Sequence, residues 1–157
     1  MKKEGFTLVE LLIVIAVIGI IAAIAIPNLL TAIQKGKQKA TIGDMKTIGA
    51  AVESYISDVA MAPGAGGVTT LPQLELYLES FYVKQLPIRD SWGETFRYES
   101  GSIGNTQELY SIISYGSDCQ ATAMDPANSN YITTALSDFK NDICFSNGSF
   151  TYVSRIK

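Results

Sequence analysis

From Leu11 to Gln34 the sequence carries no charged side chain, a run of 24 residues bounded by Glu10 and Lys35. No other feature constrains the fold as strongly. The 27 charged residues all fall in the remaining 133, about 20%, close to the soluble norm, so the apolar bias is local. Phe6 to Ile26 is 21 residues, about 32 Å as a helix, enough to cross a hydrocarbon core of about 30 Å. A secretory signal has a shorter apolar core followed by a small-residue cleavage site. Here the helical pattern continues past the apolar run, which predicts a membrane anchor.

Composition excludes several function classes. Histidine is absent, which removes the commonest general base and zinc ligand. A net charge of −3 argues against nucleic-acid binding, which calls for a basic patch. No nucleophile and base pair is apparent, so an enzyme is not expected.

Glu10 is costly for a plain anchor. A carboxylate in an apolar helix costs about 2.5–3.5 kcal/mol near the bilayer centre, less near the end where Glu10 sits. Such a group calls for a cation, and one candidate is the amino terminus of a neighbouring subunit cut just before Phe6. Gly5-Phe6-Thr7-Leu8-Val9-Glu10-Leu11-Leu12-Ile13-Val14, behind a short basic leader, resembles the processing signal of type IV pilins and pseudopilins. The resemblance implies a leader of residues 1–5, cleaved after Gly5 by a prepilin peptidase that methylates the new amine of Phe6. It also implies that Glu10 registers subunits as they enter a filament. Pro27 matches the family's helix-disrupting proline, and proline kinks or locally melts a helix.

Asn28 to about Ala60 reads as a second helical stretch, with Met45, Ile48, Val52, Tyr55, Ile56 and Val59 on an apolar face suited to a small sheet. Lys35, Lys37, Lys39 and Lys46 decorate its first half, as a solvated face or as contacts to lipid headgroups or acidic neighbouring subunits. Pro63 to Gly67 breaks the helix. Leu71 to Tyr82 predicts a short helix with Pro72 in its first turn. Thr95–Tyr98 and Leu109–Tyr115 read as one hairpin. Ile143–Phe145 and Ser149–Val153 flank Asn147-Gly148, a strong hairpin signal, and complete a second one. The expected architecture is α+β: a long N-terminal transmembrane helix with a small antiparallel-sheet head, the type IV pilin fold. The expected division is leader 1–5, transmembrane and assembly helix 6–27, and head 28–157.

Asp90-Ser91-Trp92-Gly93 with Phe96-Arg97-Tyr98, and Ser114-Tyr115-Gly116-Ser117-Asp118, are similar to the major pseudopilin of type II secretion systems. That resemblance implies a homo-oligomeric helical filament, the periplasmic pseudopilus. Subunits would wait in a bacterial inner membrane with the head in the periplasm. Prepilin peptidase, an inner-membrane assembly platform and minor pseudopilins would be partners. The alternative is a structural pilin of a surface type IV pilus. Trp92 is expected in the core. Cys119 and Cys144, in an extracytoplasmic head, read as a disulfide, with two buried free thiols as the alternative. The resemblance further implies calcium, for which Asp118, Asp138 and Asp142 are candidates; Lys140 within that cluster and Cys119 after Asp118 depart from the family pattern.

Overall fold

A computed structural model describes residues 5–64, 68–103, 106–120, 139–140 and 142–153. The chain divides into two units, Met1–Gln34 and Lys35–Lys157. The first holds the opening half of helix α1 (Leu8–Val59). Its large side chains from Leu8 to Ile33 are exposed, and among the described residues α1 is the one helix long and apolar enough to cross a membrane.

Pro27 lies inside α1, which continues through it, so the expected interruption is absent. Proline lacks an N–H, but the surrounding turns gain side-chain bonds. Asn28 Nδ2 donates to the Ile24 carbonyl at 3.2 Å, and Thr31 Oγ1 donates to the Pro27 carbonyl at 3.0 Å.

In the second unit, the remainder of α1 lies on a five-stranded antiparallel sheet. The sheet is a simple meander, β1-β2-β3-β4-β5, built from Val68–Thr70, Arg97–Ile103, Thr106–Ser114, Asp142–Ser146 and Ser149–Val153. Met45, Ile48 and Val52 are fully buried, Tyr55 and Ile56 half-buried, and Val59 exposed, so the apolar face fades toward the helix end. Ala60 then takes a left-handed conformation (φ 59°) and closes α1 by donating its N–H to the Ile56 carbonyl. Strand period two brings Tyr98, Ile112 and Phe145 onto the helix-facing side, through the pairs Tyr98↔Ile112 and Ile112↔Phe145.

The closest approach of helix and sheet is at Gly49. A Cβ there would overlap the ring of Phe145. Only hydrogen fits, so the glycine sets the interlayer distance. Two buried phenols then tie the layers with hydrogen bonds: Tyr110 Oη donates to Glu53 Oε1 at 2.8 Å, and Tyr98 Oη to the Pro63 carbonyl at 3.2 Å.

The Asn147-Gly148 hairpin is confirmed, with φ of 45° and 79°, the positive pair that a two-residue primed turn requires. The other hairpin pairs Arg97↔Ile113 through Ile103↔Thr106; its turn, at 104–105, lies outside the described residues. Two expectations shift. The short helix α2 is Leu71–Leu78 and stops before Phe81, because Ser80 adopts φ 76° and its N–H turns to the Val83 carbonyl. Strand β1, unforeseen in the sequence, pairs with β2 from Val68↔Glu99 to Thr70↔Arg97.

Substituting two helical glycines should have opposite signs. Gly49→Ala is expected to destabilise the head by about 1–3 kcal/mol through overpacking against Phe145. Gly43 has nothing within 4 Å of an added Cβ, so Gly43→Ala should stabilise by up to about 1 kcal/mol through helix propensity. Thermal melts of the two variants check the contrast.

Candidate functional site: the exposed helix and its processing end

The N-terminus of α1 carries a reciprocal cap. Thr7 N–H and Thr7 Oγ1 both donate to Glu10 Oε2, at 2.9 and 2.7 Å, while Glu10 N–H donates to Thr7 Oγ1 at 3.3 Å. This is a capping box, with a threonine and a glutamate three residues apart satisfying each other's orphan groups. Thr-x-x-Glu before an apolar run is its sequence signature, and the expectations above do not use it. The free chain therefore gives the Glu10 carboxylate local partners. Gly5 has open space around its α-carbon, and Phe6 is exposed. Gly5, Phe6 and Glu10 thus share one exposed terminus, while Pro27 lies about five turns further along the helix.

The head motif has a structural explanation. Asp90, nearly buried, accepts through Oδ1 from the Trp92 and Glu94 N–H groups at 3.0 and 2.9 Å, and through Oδ2 from Ser114 Oγ at 2.7 Å. Gly93, with φ 97°, makes the left-handed residue of this turn. The neighbouring Ser91 N–H donates to Thr41 Oγ1 of α1 at 3.1 Å. One carboxylate thus locks the loop onto β3, and one threonine locks it onto the helix. Trp92 packs half-buried against the core, as expected.

The cysteines correct an expectation. Both are free thiols, Cys119 exposed and Cys144 buried, and the bridge is not formed. Cys144 pairs with Ile113, so it points to the sheet face away from α1, beside Glu99 and Asp142. Cys119 follows the 3-10 turn Gly116–Asp118 and sits among Glu94, Asp90 and Asp118. The sulfur atoms occupy separate acidic surroundings.

Calcium finds no assembled site among the described residues. Asp118 Oδ1 accepts from the Gln120 N–H at 3.2 Å, Asp142 is fully buried on β4, and Asp138 lies outside the described residues. No group of three or more metal-capable side chains converges among the residues described, so Asp118 and Asp142 alone do not make a calcium site.

Comparison with known proteins decides the family. Residues 1–26 match the prokaryotic N-terminal methylation motif, and residues 28–134 match the type II secretion system protein G family. The chain belongs to the type II secretion system protein G family. It is 30% identical to the type II secretion system core protein G of Vibrio cholerae, over 82% of this chain and 93% of the relative. The corresponding proteins of Pseudomonas aeruginosa and Aeromonas hydrophila are each 30% identical, over 74% and 79% of this chain and 87% and 90% of theirs. These matches favour the pseudopilin over the surface pilin. An N-terminal apolar helix and a methylation motif make it a membrane-anchored protein.

Two outcomes follow from the thiols and phenols. Burial pushes the Cys144 thiol from 9.0 up to about 11 and raises both Tyr98 and Tyr110 above 10.0. In the folded chain at pH 8, an alkylating reagent should label Cys119 and leave Cys144 until denaturation; mass spectrometry reads which. Protection of both cysteines, lifted by a reductant, would restore the disulfide. The raised folded values also mean that the unfolded chain ionises first. Their stabilisation is full below about pH 9 and drains away as pH rises, so denaturant midpoints should fall through the pH 9–11 range.

Proposed function

We propose that this chain is a structural filament subunit, the major pseudopilin of a type II protein secretion system. The match of residues 28–134 to the protein G family carries the reading. The exposed apolar half of α1 supports it, since a helix with no cover of its own suits storage in a membrane and burial among neighbours in a filament. No catalytic constellation is invoked, and the role is structural.

In this reading a prepilin peptidase cleaves after Gly5 and methylates the amine of Phe6. The methylation-motif match over residues 1–26 supports the step. Subunits wait in the bacterial inner membrane, heads in the periplasm, with 1–5 removed, 6–27 as the membrane and assembly helix, and 28–157 as the head. The assembly platform and minor pseudopilins belong to the same proposal, as does a helix-adjusting role for Pro27. Glu10 then exchanges its Thr7 hydrogen bonds for the amine of a neighbour's Phe6. Deleting the gene for this chain should stop secretion of the system's cargo without removing surface pili; loss of surface pili instead would favour the pilin alternative.

Two substitutions test the processing end. Gly5→Val should leave the leader attached, read by mass spectrometry, because a branched side chain before the cut obstructs the peptidase. Glu10→Ala should insert and fold normally, since a membrane carboxylate is removed, yet assemble poorly for want of the pairing. Normal filaments from the second variant would end the assembly role.

A further inference from the structure

The head displays aromatic surface that its own core does not use. Phe81 is 79% exposed and Leu76 87%, with Tyr77, Val59 and Met61 also exposed. The rings form a connected row across three segments: Tyr77 meets Tyr55 at 6.1 Å between centroids, Tyr55 meets Tyr82 at 5.6 Å, and Tyr82 meets Phe81 at 4.9 Å. The row is held in place. Ser80 takes φ 76°, the Tyr82 and Val83 N–H groups both donate to the Leu78 carbonyl, and Tyr82 Oη donates to Asp58 Oδ2 at 3.0 Å. A non-glycine residue in the left-handed region costs free energy, here in a turn that leaves Phe81 pointing to solvent. Asp58 of α1 is joined to the row through Tyr82, and Glu75 lies on α2, the helix that carries Tyr77.

The same head carries the opposite charge elsewhere. At 100° per residue, Lys35, Lys39 and Lys46 fall within about 40° of one another and line one stripe of α1 about 16 Å long. All three are exposed, and none has a carboxylate within 4 Å among the described residues; Lys46 Nζ lies over the Phe150 ring, 5.8 Å from its centroid. Asp44, the acidic residue in this stretch, falls on the opposite side of the helix.

We propose that the aromatic row of Tyr77, Tyr82 and Phe81, with Asp58 and Glu75, docks against the lysine stripe of a second copy of this chain. The inference rests on the filament-subunit reading. A filament of one chain needs two different complementary surfaces on each subunit, so that every copy gives one and receives the other. An exposed apolar cluster that carries a carboxylate, and a stripe of exposed lysines, meet that requirement. Aromatic rings supply the buried anchor and the charges set partner and register.

The test uses the full chain in cells that assemble the filament. Carbodiimide treatment of wild-type filaments should join Lys35 or Lys39 of one subunit to Asp58 or Glu75 of another, identified by mass spectrometry. Filaments lacking these links would overturn the proposal. Phe81→Ser, at a position with no core contacts to lose, should cut filament yield about tenfold, as expected for an anchor worth one decade in affinity. Lys35→Glu with Lys39→Glu, and Asp58→Lys with Glu75→Lys, should each cut the yield similarly, and the four together should recover it. Loss without recovery, with the lysine variant also failing to bind vesicles of anionic lipid, would assign the stripe to the membrane and overturn the proposal. Wild-type chain that forms no filament at all would overturn the filament reading itself, an outcome the other arms do not produce.

Discussion

Everything in the head is arranged around the contact of Gly49 with the ring of Phe145. A helix packs on a sheet at a distance set by the side chains between them, and at this point the helix contributes none. That close approach lets Met45, Ile48 and Val52, one turn either side, reach full burial against Tyr98, Ile112 and Phe145. It also brings Tyr110 Oη within reach of Glu53 and of the Gly49 carbonyl itself, at 3.4 Å. A buried phenol without a partner would cost about 1–3 kcal/mol, so the hydrogen bonds depend on the packing and the packing on the glycine.

The loop between α2 and β2 is stabilised differently. It buries Leu86 and Phe96 in the core, and its turn is ordered by Asp90, whose carboxylate receives three hydrogen bonds from backbone and side-chain donors. Hydrogen bonds to a charged acceptor are among the stronger ones, about 1.5–3 kcal/mol each, and here they add to that apolar burial. Through Thr41 the same loop holds α1, so helix, loop and β3 become one cooperative piece.

Much of this was legible in the sequence, where a short-range signal has one physical meaning. Asn147-Gly148 fixes a primed turn because both residues tolerate positive φ, and the apolar period from Met45 to Ile56 fixes the buried helix face. Legibility failed where the outcome depends on distant partners. Proline at 27 weakens a helix locally, yet α1 continues through it. Three residues at β1 acquire strand character only because β2 lies beside them. A cysteine pair invites a bridge, but strand register turns Cys144 away from the helix and leaves Cys119 in other surroundings. At the processing end, Gly5, Phe6 and Glu10 were readable from motif alone, and the Thr7 cap is written in the Thr-x-x-Glu spacing. Asp90 was visible as part of a motif but not as its organiser, because its third donor, Ser114, is 24 residues away.

The polar groups on α1 differ in how they can act between subunits. Seventeen large apolar side chains from Phe6 to Ile33 are exposed, and covering them is worth on the order of 20 kcal/mol, more than the whole stability of a typical domain. That burial is non-directional, so it drives association without choosing a register. Direction must come from polar groups. Glu10 is already held by two donors from Thr7, so any partner must first displace them, and in an apolar surrounding only a full positive charge repays the exchange. Lys35 and Lys39 carry no such debt, and in water their field reaches about 8–10 Å before salt screens it. Within the filament proposed here, the order is therefore set by physics: head charges act first and at range, apolar burial follows, and the Glu10 carboxylate changes partner last, once water has been excluded.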